Sequence, residues 1–349
     1  MKNRWLIILL FPLALILPWP ARLPETSSSP TLAERVQRCS QKLRGVKNGV
    51  EAKSSFSELK VALRQMDAQE SRKWLLASLA SGEDFASGLD LTLDAGQNLS
   101  GWPSWRVFLL DMLFLTDPEA AAKVSSELLT SSASADEWAI CMRNLGRLGK
   151  HKDLLKTKSA ELLRRKEWRK NPSAGYLEAF DVIVHTRNTS LAVELLANCD
   201  ARYEKAVRHA SFLTLDRLIM AEPARLLPEL AANASKHPQS GMMISNMIAR
   251  ADMRDVVQRQ AVETYLLDPK RTREELRGFA SVFPNANLAI SQNLLTTNST
   301  ILGTDLAARD RVSLAVLSAW LMDDRFKNVH EPLKTIVKRL EAWRSSSNR

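Results

Sequence analysis

Thr31-Leu32-Ala33-Glu34-Arg35-Val36-Gln37-Arg38-Cys39-Ser40-Gln41-Lys42-Leu43 places a hydroxyl and a carboxylate three residues apart, then apolar residues at Leu32, Val36, Cys39 and Leu43. The first feature has the form of a capping box, in which Thr31 and Glu34 satisfy the free amides of a helix start. The second is one apolar face of a helical period. The same hydroxyl–carboxylate signature recurs at Ser55/Glu58, Ser134/Glu137 and Thr272/Glu275, each followed by apolar residues at helical spacing. Phe56, Leu59, Leu63 and Met66 form one such stripe. Val329, Leu333, Ile336, Leu340 and Trp343 form another, with Lys334, Lys338 and Arg339 off it. Only 12 glycines, few β-branched runs and abundant Leu and Ala favour helix throughout. The expected fold class is all-α.

The phrases Asp117-Pro118, Glu222-Pro223 and Asp268-Pro269 read as helix starts, since a proline in the first turn loses no needed donor. Asn171-Pro172 is a degenerate fourth. Their spacing, roughly 50 residues, is longer than most two-helix repeats. Over Thr116 to Phe283 this resembles the HEAT or tetratricopeptide class in architecture, an α-solenoid, without a family-specific motif. An irregular helical bundle is the alternative. The helical body is expected to span residues 31–345.

Residues 81–101 depart from the pattern. They hold Gly82, Gly88, Gly96 and Gly101, and Leu89 to Asp94 alternates with period two. The stretch reads as a long connection or hinge; its acidic spacing does not supply a calcium loop. Trp102 to Leu115 follows, apolar but for Ser104, Arg106 and Asp111, and reads as a central buried helix.

The N-terminus adds an address. Lys2 and Arg4 precede an apolar block from Trp5 to Leu17, broken by Pro12 and closed by Pro18-Trp19-Pro20. This is the pattern of a signal peptide or signal-anchor over residues 1–21, joined by a linker at 22–30. It predicts an exported protein of the cell envelope, membrane-anchored or released on the far side. The three cysteines, Cys39, Cys141 and Cys199, all fall on apolar stripes and read as core thiols. A Cys141–Cys199 bridge is the alternative.

The net charge of +10 points to anionic partners or surfaces. Residues 150–170 carry nine lysines and arginines against Asp153, Glu161 and Glu167. Lys158, Arg164, Arg165, Lys166, Arg169 and Lys170 are the candidate contacts for an anionic partner. A solvated helix face, with Glu161 pairing Lys158 and Arg165, is the competing reading. Residues 278–304 carry no charge at all. They read as buried against neighbouring helices, or as a ligand- or partner-binding face.

No linear motif announces chemistry. The five histidines have no metal-ligand spacing, and no G-x-S-x-G, P-loop or dinucleotide fingerprint occurs. No cofactor is expected. Glu70-Ser71 resembles the catalytic Glu-Ser of lytic transglycosylases, but the glycine-rich and aromatic surroundings of that site are absent. His185 reads as a half-buried helix residue. The function expected is a non-enzymatic, exported or membrane-anchored scaffold that binds other proteins or an anionic envelope component. A glycan-active envelope enzyme with a site dispersed over several helices is the alternative. Nucleic acid fits an exported chain poorly.

Overall fold

The computed structural model describes residues 31–46, 48–287, 293–297 and 305–347. The expected leader at 1–21 and linker at 22–30 lie outside the described residues. Among those described, no helix is long and apolar enough to cross a membrane. The fold is all-α, as the stripes require.

Among the described residues three helices come first: α1 (Leu32–Arg44), α2 (Gly49–Gln65) and α3 (Ala68–Ala80). Strand pairing among the described residues is confined to the next segment. There β1 (Thr92–Leu93) and β2 (Leu99–Gly101) form an antiparallel hairpin, and Ala86 bridges Ser104. Next come α4 (Trp105–Thr116), α5 (Pro118–Ser131), α6 (Ala135–Leu148) and α7 (Lys152–Arg164). Four short helices follow: α8 (Lys166–Lys170), α9 (Ala174–Glu178), α10 (Asp181–His185) and α11 (Ala192–Asn198). Then come α12 (Lys205–Ala221), α13 (Pro223–Asn233), α14 (Gly241–Ile248), α15 (Val256–Leu267) and α16 (Arg273–Val282). Two helices close the body, α17 (Leu306–Trp320) and α18 (His330–Ser347). Packing is mostly between near neighbours in sequence: α1 on α2, α3 on α4, α5 on α6, α11 on α12, α13 on α15, α14 on α16, α17 on α18.

The caps divide along physical lines. Thr31/Glu34 and Thr272/Glu275 form complete capping boxes, each hydroxyl and each carboxylate accepting from a backbone amide. Ser134 caps α6 at Glu137 N, but the Glu137 carboxylate turns away to Arg106 at 2.6 Å, where it neutralises a largely buried guanidinium. Ser55/Glu58 is not a helix start. It lies inside α2, which begins at an Asn48 cap, and Ser55 is fully buried. Pro118 and Pro223 do begin helices. Asp268-Pro269 and Asn171-Pro172 instead sit in the turns just before α16 and α9, whose caps are Thr272 and Ser173. Proline is tolerated equally in such turns, so the phrase alone does not separate the two cases.

α4 is the buried helix expected, with residues 107–113 all inside. Its aromatic residues Trp105 and Phe108 gather with Phe56 of α2 and with Trp102, ring centroids 4.7–6.5 Å apart. Each such fully buried ring contributes roughly 1.5–3 kcal/mol relative to exposure. Cys141 and Cys199 are buried and unbridged, and Cys39 is half-buried. Burial pushes the Cys141 thiol up to about 12, which suits an inert core position. His185 corrects the sequence reading. It is exposed at the C-terminal end of α10.

Residues 81–101 are docked at both ends. Trp105 N donates to Phe85 O, and Ser87 N donates to Pro103 O. Leu91 and Leu99 point into the core while Thr92 and Asp94 face out, the alternation expected. The Asp94 carboxylate accepts from Gly96 N and Asn98 N, folding the hairpin tip back on itself. These amides hold Asp94 below the usual carboxylate range. Gln97 adopts a left-handed backbone, φ 62°, at the apex. Gly101 admits no side chain, because a Cβ would lie 2.5 Å from Asp90 O.

Candidate functional site

The hairpin apex reaches into a cleft between α6, α10 and α12. The cleft is floored by ion pairs that the helices bury. Arg143 of α6 donates to Asp111 of α4 at 2.8 Å, with side chains 0% and 1% exposed. Arg217 of α12 donates to Asp181 of α10 at 3.0 Å, and Arg250, just past α14, pairs with Asp216 of α12 at 2.7 Å. Buried charges of this kind persist only when paired and hydrogen-bonded. Asp111 and Asp181 gain further donors, the Trp102 indole on Asp111 and two backbone amides on Asp181, while Asp216 accepts twice from Arg250.

Part of the uncharged 278–304 stretch occupies this cleft. Residues 293–297 form no helix or strand and bend at Leu294 and Leu295. Asp181 grips their main chain: its Oδ2 accepts from Leu295 N at 2.7 Å and from Thr296 N at 2.8 Å. The Thr296 hydroxyl donates to Asp181 and accepts from Arg217. From the other side, Gln97 Nε2 donates to Asn293 O at 3.0 Å and Thr296 O at 2.8 Å. The Gln97 carbonyl is itself fixed by Arg147, at 2.6 Å, and by Arg143. Burial, with Arg143 close by, brings the Arg147 guanidinium down to about 10. Leu294 is fully buried. Leu295 lies where a Cβ on Gly146 would come within 2.5 Å, so that glycine makes room for it.

The same logic extends upstream. Arg339 of α18 donates to Ala280 O, Ser281 O and Phe283 O. Arg309 of α17 reaches Asn285 O, Arg250 reaches Asn287 O, and Asn285 N donates to Ala249 O. The charges that hold the described parts of the stretch stand outside it, on Arg339, Arg309, Arg250 and Asp181. Within the described residues 278–287 and 293–297, Phe279, Phe283 and Leu294 are buried as the sequence reading expected, and main-chain groups are held as well as apolar side chains.

Beside residues 293–297 lies a cavity of about 250 Å³ between α9, α10 and α12. Its polar lining is Glu178, Asp181, His209, Thr214, Arg217 and Asn293. Burial and the neighbouring Asp181 push the Glu178 carboxyl up to about 7, with Arg217 opposing. The two carboxylates do not make an acid–base pair, because Asp181 is already committed to four donors. Among the described residues no group of three or more His, Cys, Asp or Glu could hold a metal ion.

The raised Glu178 carboxyl has a measurable consequence. Below about pH 4.5 it is protonated in both folded and unfolded chains and costs nothing. Between 4.5 and 7 the unfolded chain releases the proton first, so stability falls as pH rises and levels off above 7. Glu178→Gln removes this loss. We predict that the variant gains on the wild type by on the order of 2 kcal/mol between pH 4.5 and 8 in urea titrations, allowing for partial exposure. A stability difference that does not vary with pH would show that Glu178 is not held this way.

The six basic candidates are placed differently from one another. The Arg165 guanidinium stacks on Trp138 and Trp168, 5.0 and 4.9 Å from the ring centroids, and bonds Glu161 at 2.7 Å. Lys158 lies over Trp138 and pairs with Glu161 at 2.8 Å. Arg169 lies 5.3 Å over Tyr203, and Arg164 pairs with Glu194. Lys166 and Lys170 are exposed and make no ion pair among the described residues. The block is therefore largely a paired helix face and does not form one open cationic patch.

Sequence reasoning missed Gln97, Asp181 and Arg217. The signal was a charged residue inside an apolar run: Asp111 in Trp102–Leu115, and Asp216-Arg217 between Leu215 and Leu218. No known protein family, curated protein or solved structure matches this chain.

Proposed function

We propose that this chain is a non-enzymatic helical scaffold, of stacked-repeat architecture, that holds a short non-helical polypeptide segment in the cleft between the hairpin apex, α6, α10 and α12. One observation carries the reading. Residues 293–297 are gripped there through their own main chain by Gln97 and Asp181, with Gly146 leaving space for one leucine. Main-chain recognition of this kind supplies affinity, and side-chain pockets supply selectivity. Of the two partner classes, another protein fits better than an anionic envelope component, because four of the six basic candidates are already paired or stacked.

The test uses the full chain with residues 293–297 replaced by an equal run of glycine and serine, and an added fluorescent peptide of the Ser291–Asn298 sequence. Saturable binding, lost on Gly146→Val, is expected. A variant that keeps its helical circular dichroism yet shows no saturable binding overturns the reading. The exported setting rests on the Lys2–Pro20 leader. Intact full-length protein found in the cytosol after fractionation would remove that part.

A further inference from the structure

We propose that the cleft is built for a partner segment carrying a lysine or arginine two residues before its leucine, at the place Asn293 takes in the chain's own segment. This rests on the polypeptide-binding reading above. The argument is one of charge. Of the carboxylates in the cleft and its adjoining cavity, Asp111 pairs with Arg143 and Asp181 with Arg217, while the further cation Arg147 donates to the Gln97 carbonyl. Glu178 is the exception. It lines the adjoining cavity with no hydrogen bond or ion pair among the described residues, so the lining holds two carboxylates and one guanidinium beside the His209 imidazole.

Leu177, Phe180, Ala206, Ala210 and Leu213 supply the cavity's apolar walls. That combination suits a long aliphatic stem ending in a cation, which buries its methylenes and presents its charge to a carboxylate. Asn293 opens onto this cavity but is too short to bring a charge there. The chain's own segment thus satisfies the main-chain part of the site and leaves the carboxylate unused. A basic partner segment would satisfy both and displace it. The cost of holding Glu178 ionised, visible in its raised pKa, is what the incoming cation would offset.

Two measurements at pH 8 test this. In the first, the glycine–serine variant of residues 293–297 is titrated with the Ser291–Asn298 peptide and with its Asn293→Lys form. The lysine form should bind about tenfold more tightly, and Glu178→Gln should cancel the difference. In the second, Asn293→Lys is placed in the intact chain and its thermal midpoint is compared with and without Glu178→Gln in a double-mutant cycle, which needs no added peptide. The expected result is a favourable coupling between the two positions. Equal binding of both peptides with no coupling in the cycle overturns the basic-residue proposal and leaves the cleft reading intact. Binding by neither peptide overturns both.

Discussion

Asp181→Ala is expected to destabilise the protein by about 3–5 kcal/mol, a large share of the stability of an ordinary domain. The alanine removes the partner of Arg217, whose side chain is only 6% exposed, and leaves a buried guanidinium without its counter-charge. It also removes the acceptor for Leu295 N, Thr296 N and the Thr296 hydroxyl. Unpaired buried donors cost far more than the net worth of the bonds themselves. A second readout separates the two losses. Amide hydrogen exchange at Leu295 and Thr296 should rise well beyond what the global loss accounts for, because residues 293–297 detach first. Asp181→Asn, which keeps an acceptor oxygen, should fall between wild type and Asp181→Ala. A cost under about 1 kcal/mol with both amides still protected would mean that Asp181 does not anchor the segment.

Arg143→Met carries the other large effect, again about 3–5 kcal/mol. Asp111, 1% exposed, would lose its counter-charge and keep the Trp102 indole as its donor, and the Gln97 carbonyl would keep only Arg147. The informative comparison is with the double variant Asp111→Leu, Arg143→Met. Removing both ions leaves no buried charge, so the double variant should be more stable than Arg143→Met by itself despite carrying a second substitution. Equilibrium urea unfolding of the four proteins in the cycle measures this. If the two single losses simply add, the buried pair is not coupled and the floor of the cleft is not electrostatic in the sense argued here.

The legible and illegible parts of this protein divide by distance along the chain. The α1 stripe, the Thr31 and Thr272 boxes and the alternation at Leu89–Asp94 are patterns within a dozen residues, and the folded chain reproduces them. The Ser55/Glu58 box failed because any Ser-x-x-Glu on a helix interior looks the same as one at its start. In the basic block the Glu161 pairs with Lys158 and Arg165 were legible because they lie within four residues, whereas the positions of Trp138, Tyr203 and Glu194 across from it were not. Asp111 stood out as a charge in an apolar helix, yet its partner lies 32 residues away.

Sequence by itself determined the all-α class, the helix starts at Thr31, Asp117, Ser134, Glu222 and Thr272, the buried course of α4 and the core placement of Cys141 and Cys199, because helical period and cap chemistry are local. Only the tertiary structure decided that Gln97 meets Thr296, that Asp181 meets Leu295 and that Glu178 lines a cavity with no hydrogen-bond partner among the described residues. Those contacts join residues up to 199 positions apart. The uncharged stretch has no periodicity that names its partners, since the groups it offers them are mainly the N–H and C=O that every residue carries.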